Sequence, residues 1–180
     1  MSNLRLLNET TTDGTVSSIQ VNDVFSADFD IYKITTDLSN ETNSPKGINM
    51  RLINSSGSVI TSSNYDRAIS EMYAAQTFVQ SRTSNADYFN QAFGLLKYPP
   101  EAGVGVSYIF NPFSSSAFTT MINHNFSTWS GNKASLKSIF ILKELTSCTG
   151  FQAYLSSTSF HSTSVIKTYG LRIDWWDFHR

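Results

Sequence analysis

The chain has 180 residues, 13 basic and 14 acidic side chains, and a formal net charge of -1, with only 15% of its residues charged. Globular chains ordinarily carry about 25% charge; here Ser, Thr and Asn, about a third of the residues, supply the polarity instead. No basic excess exists to displace counterions from a phosphate backbone, which excludes nucleic acid as an electrostatically bound partner.

The start, Met1-Ser2-Asn3-Leu4-Arg5, lacks the basic-then-apolar-then-small order of a secretory signal. No apolar run approaches the ~20 residues of a membrane span, so the expectation is a chain made and kept soluble in the cytoplasm, with no membrane partner. Repeats and Pro-rich or Gly/Ser-rich linkers are absent, which predicts one domain. Its 13 Phe, 8 Tyr and 3 Trp can fill a core without staples.

Short apolar alternations closed by turn residues recur every eight to twelve positions or so, the spacing of a sandwich or barrel. Ile19, Val21, Val24 and Phe25 lead to a turn at Ser26-Ala27-Asp28. Phe29, Ile31 and Lys33 then alternate with Asp30, Tyr32 and Ile34, and large side chains on both faces predict a central strand. Asn40 to Gly47, with Pro45, reads as a loop; Ile48 to Ile53 reads as a strand ending at Asn54-Ser55-Ser56-Gly57, and Val59-Ile60 restarts the ladder.

Between Asp66 and Gln80, Ile69, Met72, Tyr73 and Gln76 fall at helical spacing, and Asn64 or Asp66 could cap a helix. The all-strand surroundings and Thr77-Phe78-Val79 favour strands there, with a short helical turn as the alternative. Gly103 to Phe110 is the clearest strand. It sets Val104, Val106, Tyr108 and Phe110 on one face and stops at Asn111-Pro112, because proline cannot donate to a ladder. Further strands are expected at 118–126, 136–142, 150–155, with Phe151, Ala153 and Leu155 on a common face, and 164–173. The segments are residues 1–16 as an N-terminal segment, 17–173 as the β-sandwich domain and 174–180 as an aromatic C-terminal tail.

Candidate chemistry is sparse. His124, His161 and His179 share no ligand spacing, and the lone Cys148 cannot complete a zinc quartet. His124 shares its face with Ile122 and Phe126, which predicts a packed imidazole with one hydrogen-bond partner, while His161 among Ser and Thr reads as surface. Cys148 has no basic neighbour in sequence to activate it and reads as an inert, partly buried thiol. No Gly-x-Ser-x-Gly elbow is present, and Gly103-Val104-Gly105 precedes a strand, so no helix N-terminus stands behind it to hold a phosphate. Asp28 and Asp30, with Asp23 nearby, could ligate calcium, but read better as a turn whose carboxylates accept backbone N–H bonds. The sequons at Asn8, Asn40, Asn54 and Asn125 match the number expected by chance in so Ser/Thr-rich a chain. These readings assign no catalytic residue, no cofactor and no metal. Trp175, Trp176, Phe178 and Arg180 are different: three large aromatics within six residues are costly if exposed, and Trp and Arg are typical interface anchors, so the tail is expected either to dock into a partner subunit or to fold back on its own sandwich.

Several stretches carry a family resemblance: the run from Asn22 through Asp28-Phe29-Asp30-Ile31 to Ile34, Met50-Arg51-Leu52 with Gly57, Tyr65-Asp66, Tyr108 through Asn111-Pro112 to Ser115, Thr149-Gly150-Phe151, and Val165 to Leu171. In order and spacing they resemble the β-sandwich domain of tailed-bacteriophage virion structural proteins, over about Ser17 to Ile173. These are structural signatures; none is catalytic. The chain departs from the pattern in continuing as Asp174-Trp175-Trp176-Asp177 and in lacking long additional domains. The resemblance implies an all-β, antiparallel, jelly-roll-like sandwich in a non-enzymatic structural protein of a phage virion, made in the host bacterial cytoplasm. Its expected partners are itself, as a homo-oligomer on capsid or tail, and other virion proteins. The alternative is a carbohydrate-binding module or receptor-binding protein recognising a host surface glycan.

Overall fold

The computed structural model describes residues 3–75, 77–96, 98–129 and 132–172. Among them are thirteen strands and no helix: β1 (Leu4–Thr11), β2 (Ser18–Val21), β3 (Ile31–Leu38), β4 (Lys46–Gly47), β5 (Asn49–Asn54), β6 (Tyr65–Tyr73), β7 (Val79–Ala86), β8 (Leu95–Leu96), β9 (Gly103–Phe110), β10 (Thr119–Trp129), β11 (Asn132–Leu142), β12 (Cys148–Tyr154) and β13 (Val165–Leu171). They form an eight-stranded sheet in the order β1-β13-β3-β9-β10-β11-β6-β7, a three-stranded sheet β2-β12-β5, and a short β4-β8 pair. Every pairing is antiparallel. The arrangement is an antiparallel, jelly-roll-like β-sandwich.

Alternation along each strand decides what fills the space between the sheets. Tyr32, Ile34 and Leu38 of β3, Ile109 of β9 and Phe140 of β11 are buried in one cluster with Val21 of β2, Leu52 of β5 and Phe151 of β12. Phe25, Phe89 and Phe93 enter the same core from connecting segments. Phe25 meets Tyr32 edge-on at 4.7 Å and Phe89 meets Tyr65 at 4.7 Å and 90°, the geometry that ring quadrupoles favour. A buried phenol needs partners, and Tyr65 uses its own to tie the sheets together: Leu52 N–H donates to Tyr65 Oη at 3.1 Å, and that hydroxyl donates to the Ile60 carbonyl at 3.0 Å. Burial raises the Tyr65 pKa well above the ordinary phenol value.

Two glycines answer specific demands. Gly57 has φ +80 in the turn after β5, a conformation that L side chains rarely adopt. Gly105 pairs across β9–β10 with Asn125, whose Oδ1 would lie 1.8 Å from any Cβ placed there.

The segment with helical spacing is a strand pair. β6 and β7 are hydrogen-bonded from Tyr65↔Ala86 to Glu71↔Val79, and Gln76 lies outside the described residues. Pairing of β6 with β11 overrides the local periodicity. The stretch 1–16, set apart in sequence, contains β1, whose residues Leu4 to Thr11 pair with Leu171 to Val165 of β13. Trp175, Trp176, Phe178 and Arg180 lie outside the described residues.

Candidate functional site

The middle of the eight-stranded sheet is inside out. In β9 the inward positions are Gly105, Ser107 and Ile109, while the large Val104, Val106, Tyr108 and Phe110 point away from the core. The registers extend the pattern across the sheet: Ser107 pairs with Asn123 of β10, and Asn123 with Ser138 of β11, all three buried. One position along, on the opposite face, Tyr108 pairs with Ile122, Ile122 with Ile139, and Ile139 with Ala68. Ile139 is 58% exposed, Ile122 47%, Phe126 46% and Val104 45%. An antiparallel sheet with one wet face normally turns its polar side chains to the water. Buried polar groups opposite a contiguous exposed apolar surface are the informative exception.

These side chains floor a groove of about 930 Å³ that runs across β9, β10, β11, β6 and β7. Tyr108, Val106, Ile122 and Ile139 form its apolar bed, and Arg82 and Lys137 supply the charge. Among the described residues no Asp or Glu lines it. Among the described residues neither cation has a carboxylate within ion-pair distance. A second depression of about 510 Å³ continues the surface past Val104 and Phe126.

His124 sits on this face. It shares the face with Ile122 and Phe126 as the alternation predicts, but the imidazole is exposed, with Nε2 at 2.7 Å from Ser135 Oγ. The expectation of a packed ring fails because this side of β10 points outward; the single hydrogen-bond partner is present. His161 is half-buried, edge-on to Tyr98 at 5.1 Å, with Nδ1 2.9 Å from Thr163 Oγ1.

The other sequence candidates are held by the fold. Cys148 is fully buried, and burial pushes its thiol up to about 12, which keeps the thiolate scarce. Asp28 Oδ2 accepts the Ser26 hydroxyl at 3.3 Å and the Asp28 N–H donates back to Ser26 Oγ at 3.2 Å, so the turn closes through a hydroxyl where carboxylate-to-backbone bonds were expected. Among the described residues no three His, Cys, Asp or Glu side chains gather as metal ligands. Asn40 and Asn125, two of the four sequon asparagines, are buried.

The outer side of the small sheet offers a contrasting cluster. Arg51 Nη2 lies 2.5 Å from Asp87 Oδ2, and its guanidinium carbon stands 5.0 Å from the Tyr154 ring centroid and 5.8 Å from that of Tyr88. Burial pushes the Tyr154 phenol up to about 12, with Arg51 pulling the other way. Here the cation, the carboxylate and both rings already have partners.

No protein-family model matches the chain, and no curated protein matches it. Among solved structures, the CBM2 module of the evolved Dit of Lactobacillus casei BL23 phage J-1 aligns over 95% of this chain and 78% of that one, with 10% identity and a TM-score of 0.27. The infectious bursal disease virus VP2 subviral particle aligns over 93% of this chain and 41% of that one, with 9% identity and a TM-score of 0.17. At these scores neither alignment carries weight, and the functional reading stands on the chain's own residues.

Proposed function

We propose that this chain is a non-enzymatic structural protein of a tailed-phage virion that assembles on the capsid or tail through the outer face of its eight-stranded sheet. The virion context comes from the sequence resemblance; the mode of action comes from the surface. The observation that carries it is the inversion at Ser107, Asn123 and Ser138 inside against Tyr108, Ile122 and Ile139 outside. An apolar bed of that extent is stable in water when another protein surface covers it. Sugar recognition calls instead for an open aromatic platform, and on the small sheet Arg51 stands over the Tyr154 ring.

The test is sedimentation velocity of the full chain over a range of concentrations, beside a glycan array. The expected result is concentration-dependent oligomers and no saturable glycan signal. A monomer at every concentration that gives a saturable, sugar-inhibitable signal would overturn the reading in favour of a glycan-binding module.

A further inference from the structure

The groove across β9 to β7 has a size, a charge and a place relative to the end of β13 that together specify an occupant. Crossing it from β9 to β7 means four strand spacings, about 19 Å. Residues 173–180, extended, span about 26 Å, enough to cross it once. Among the described residues the groove is apolar, with two cations, Arg82 and Lys137, that no carboxylate pairs and no carboxylate in its lining. The first six residues of segment 173–180 complement it, with Trp175, Trp176 and Phe178 interleaved by Asp174 and Asp177, and His179 and Arg180 follow them.

Direction identifies whose segment it is. β13 runs from Val165, paired with Asp37, to Leu171, paired with Ile31. Ile31 in turn pairs with Phe110, at the end of β9 beyond Tyr108. The chain therefore leaves the sheet heading away from the groove centre at Val106 and Tyr108. Returning to its own groove would need a reversal and a shift of two strand spacings, about 10 Å, past β3 to β9, leaving about 16 Å of the segment for a crossing of about 19 Å.

We infer that the groove receives segment 173–180 of a second copy of this chain, with Trp176 and Phe178, which share a face of an extended segment with Asp174, on the Tyr108, Ile122 and Ile139 bed and Asp174 meeting the Arg82 and Lys137 cations. This rests on the assembly reading of the outer face and names its partner. Each copy offers one segment and one groove, so two copies can exchange segments as a closed two-fold dimer, or the contact can run head to tail into a ring or filament.

Complementation between two full-length variants tests it by sedimentation. Ile139→Asp disables the groove at an exposed position, with Ile122→Asp as a second version of that arm, and the double variant Trp175→Ala/Trp176→Ala disables the segment. Each alone is expected to raise the self-association Kd by about thirtyfold or more, the loss typical of a hot-spot residue. An equimolar mixture should form a 1:1 heterodimer that grows no further, because one working groove meets one working segment. Raising the ionic strength should weaken the wild-type association. If the tryptophan variant associates like wild type while the isoleucine variants do not, the occupant is wrong and the assembly face stands. If all variants associate like wild type, both fall. A wild-type chain that stays monomeric while Ile139→Asp red-shifts its tryptophan emission would place the segment on its own groove and overturn the inference.

Discussion

The outer faces of the two sheets differ in kind. On the three-stranded sheet, Arg51 is engaged by Asp87 and stands over two tyrosine rings, so charge and aromatic surface satisfy one another within the chain. On the eight-stranded sheet, Ile122, Phe126, Ile139 and Val104 stand exposed, and Arg82 and Lys137 have no carboxylate partner among the described residues. The first face is finished by folding. The second is left by folding with apolar side chains in water and two cations that no described carboxylate reaches, and the contrast is why the proposed assembly is assigned to that side.

Substitutions can break or sharpen that contrast, beginning with the core both faces share. Phe151→Ala should cost about 3–5 kcal/mol of stability, measured by denaturant unfolding, because it opens a cavity between the sheets. Gly105→Ala should cost about 1–3 kcal/mol, since the new methyl meets Asn125 and must push β10's inward side chain away from β9. Arg51→Ala should lower stability by roughly 1 kcal/mol, the size of a half-exposed ion pair plus a ring contact, and leave sedimentation unchanged. Ile139→Asp should do the reverse: a folding change within about 0.5 kcal/mol, as expected of an exposed site, together with loss of association.

Proton linkage supplies a check on the core that needs no new contact. The Cys148 thiol has a folded pKa of about 12, above its unfolded value, so the fold favours the protonated form. That contribution is complete below the ordinary thiol pKa of about 8.5 and is lost as pH rises towards 12. Stability should therefore fall with alkaline pH, less steeply in Cys148→Ala, and the native thiol should resist alkylation at neutral pH.

The central strands were legible in sequence because their two faces differ in ways that burial rewards. β3, β9 and the buried Phe151 and Ala153 of β12, with Leu155 just past its end, all lie where alternation and turn residues put them. The two edge strands were not. β7, Val-Gln-Ser-Arg-Thr-Ser-Asn-Ala, buries almost nothing and is held by backbone pairing with β6, and β1 is likewise mostly exposed. An edge strand carries little apolar pattern to read. The exposed apolar face was half legible: Val104, Val106, Tyr108 and Phe110 declared a common side, but alternation does not say which side is inward. The missed signal was the complementary one, Ser107, Asn123 and Ser138 in one cross-strand row and Gly105 with Asn125 in the next; seen together they mark the packed polar interior and leave the apolar side for water or a partner.

Hydroxyl-radical footprinting of the full chain, dilute and concentrated, compares the two faces in one experiment. Association through the eight-stranded sheet predicts that Tyr108, Ile122, Phe126 and Ile139 become several-fold less reactive on concentration, while Tyr154 on the small sheet and Tyr88 beside it keep their dilute-state reactivity. Protection confined to Tyr88 and Tyr154, or an unchanged Ile122 and Ile139 in a chain that has plainly associated, would contradict it.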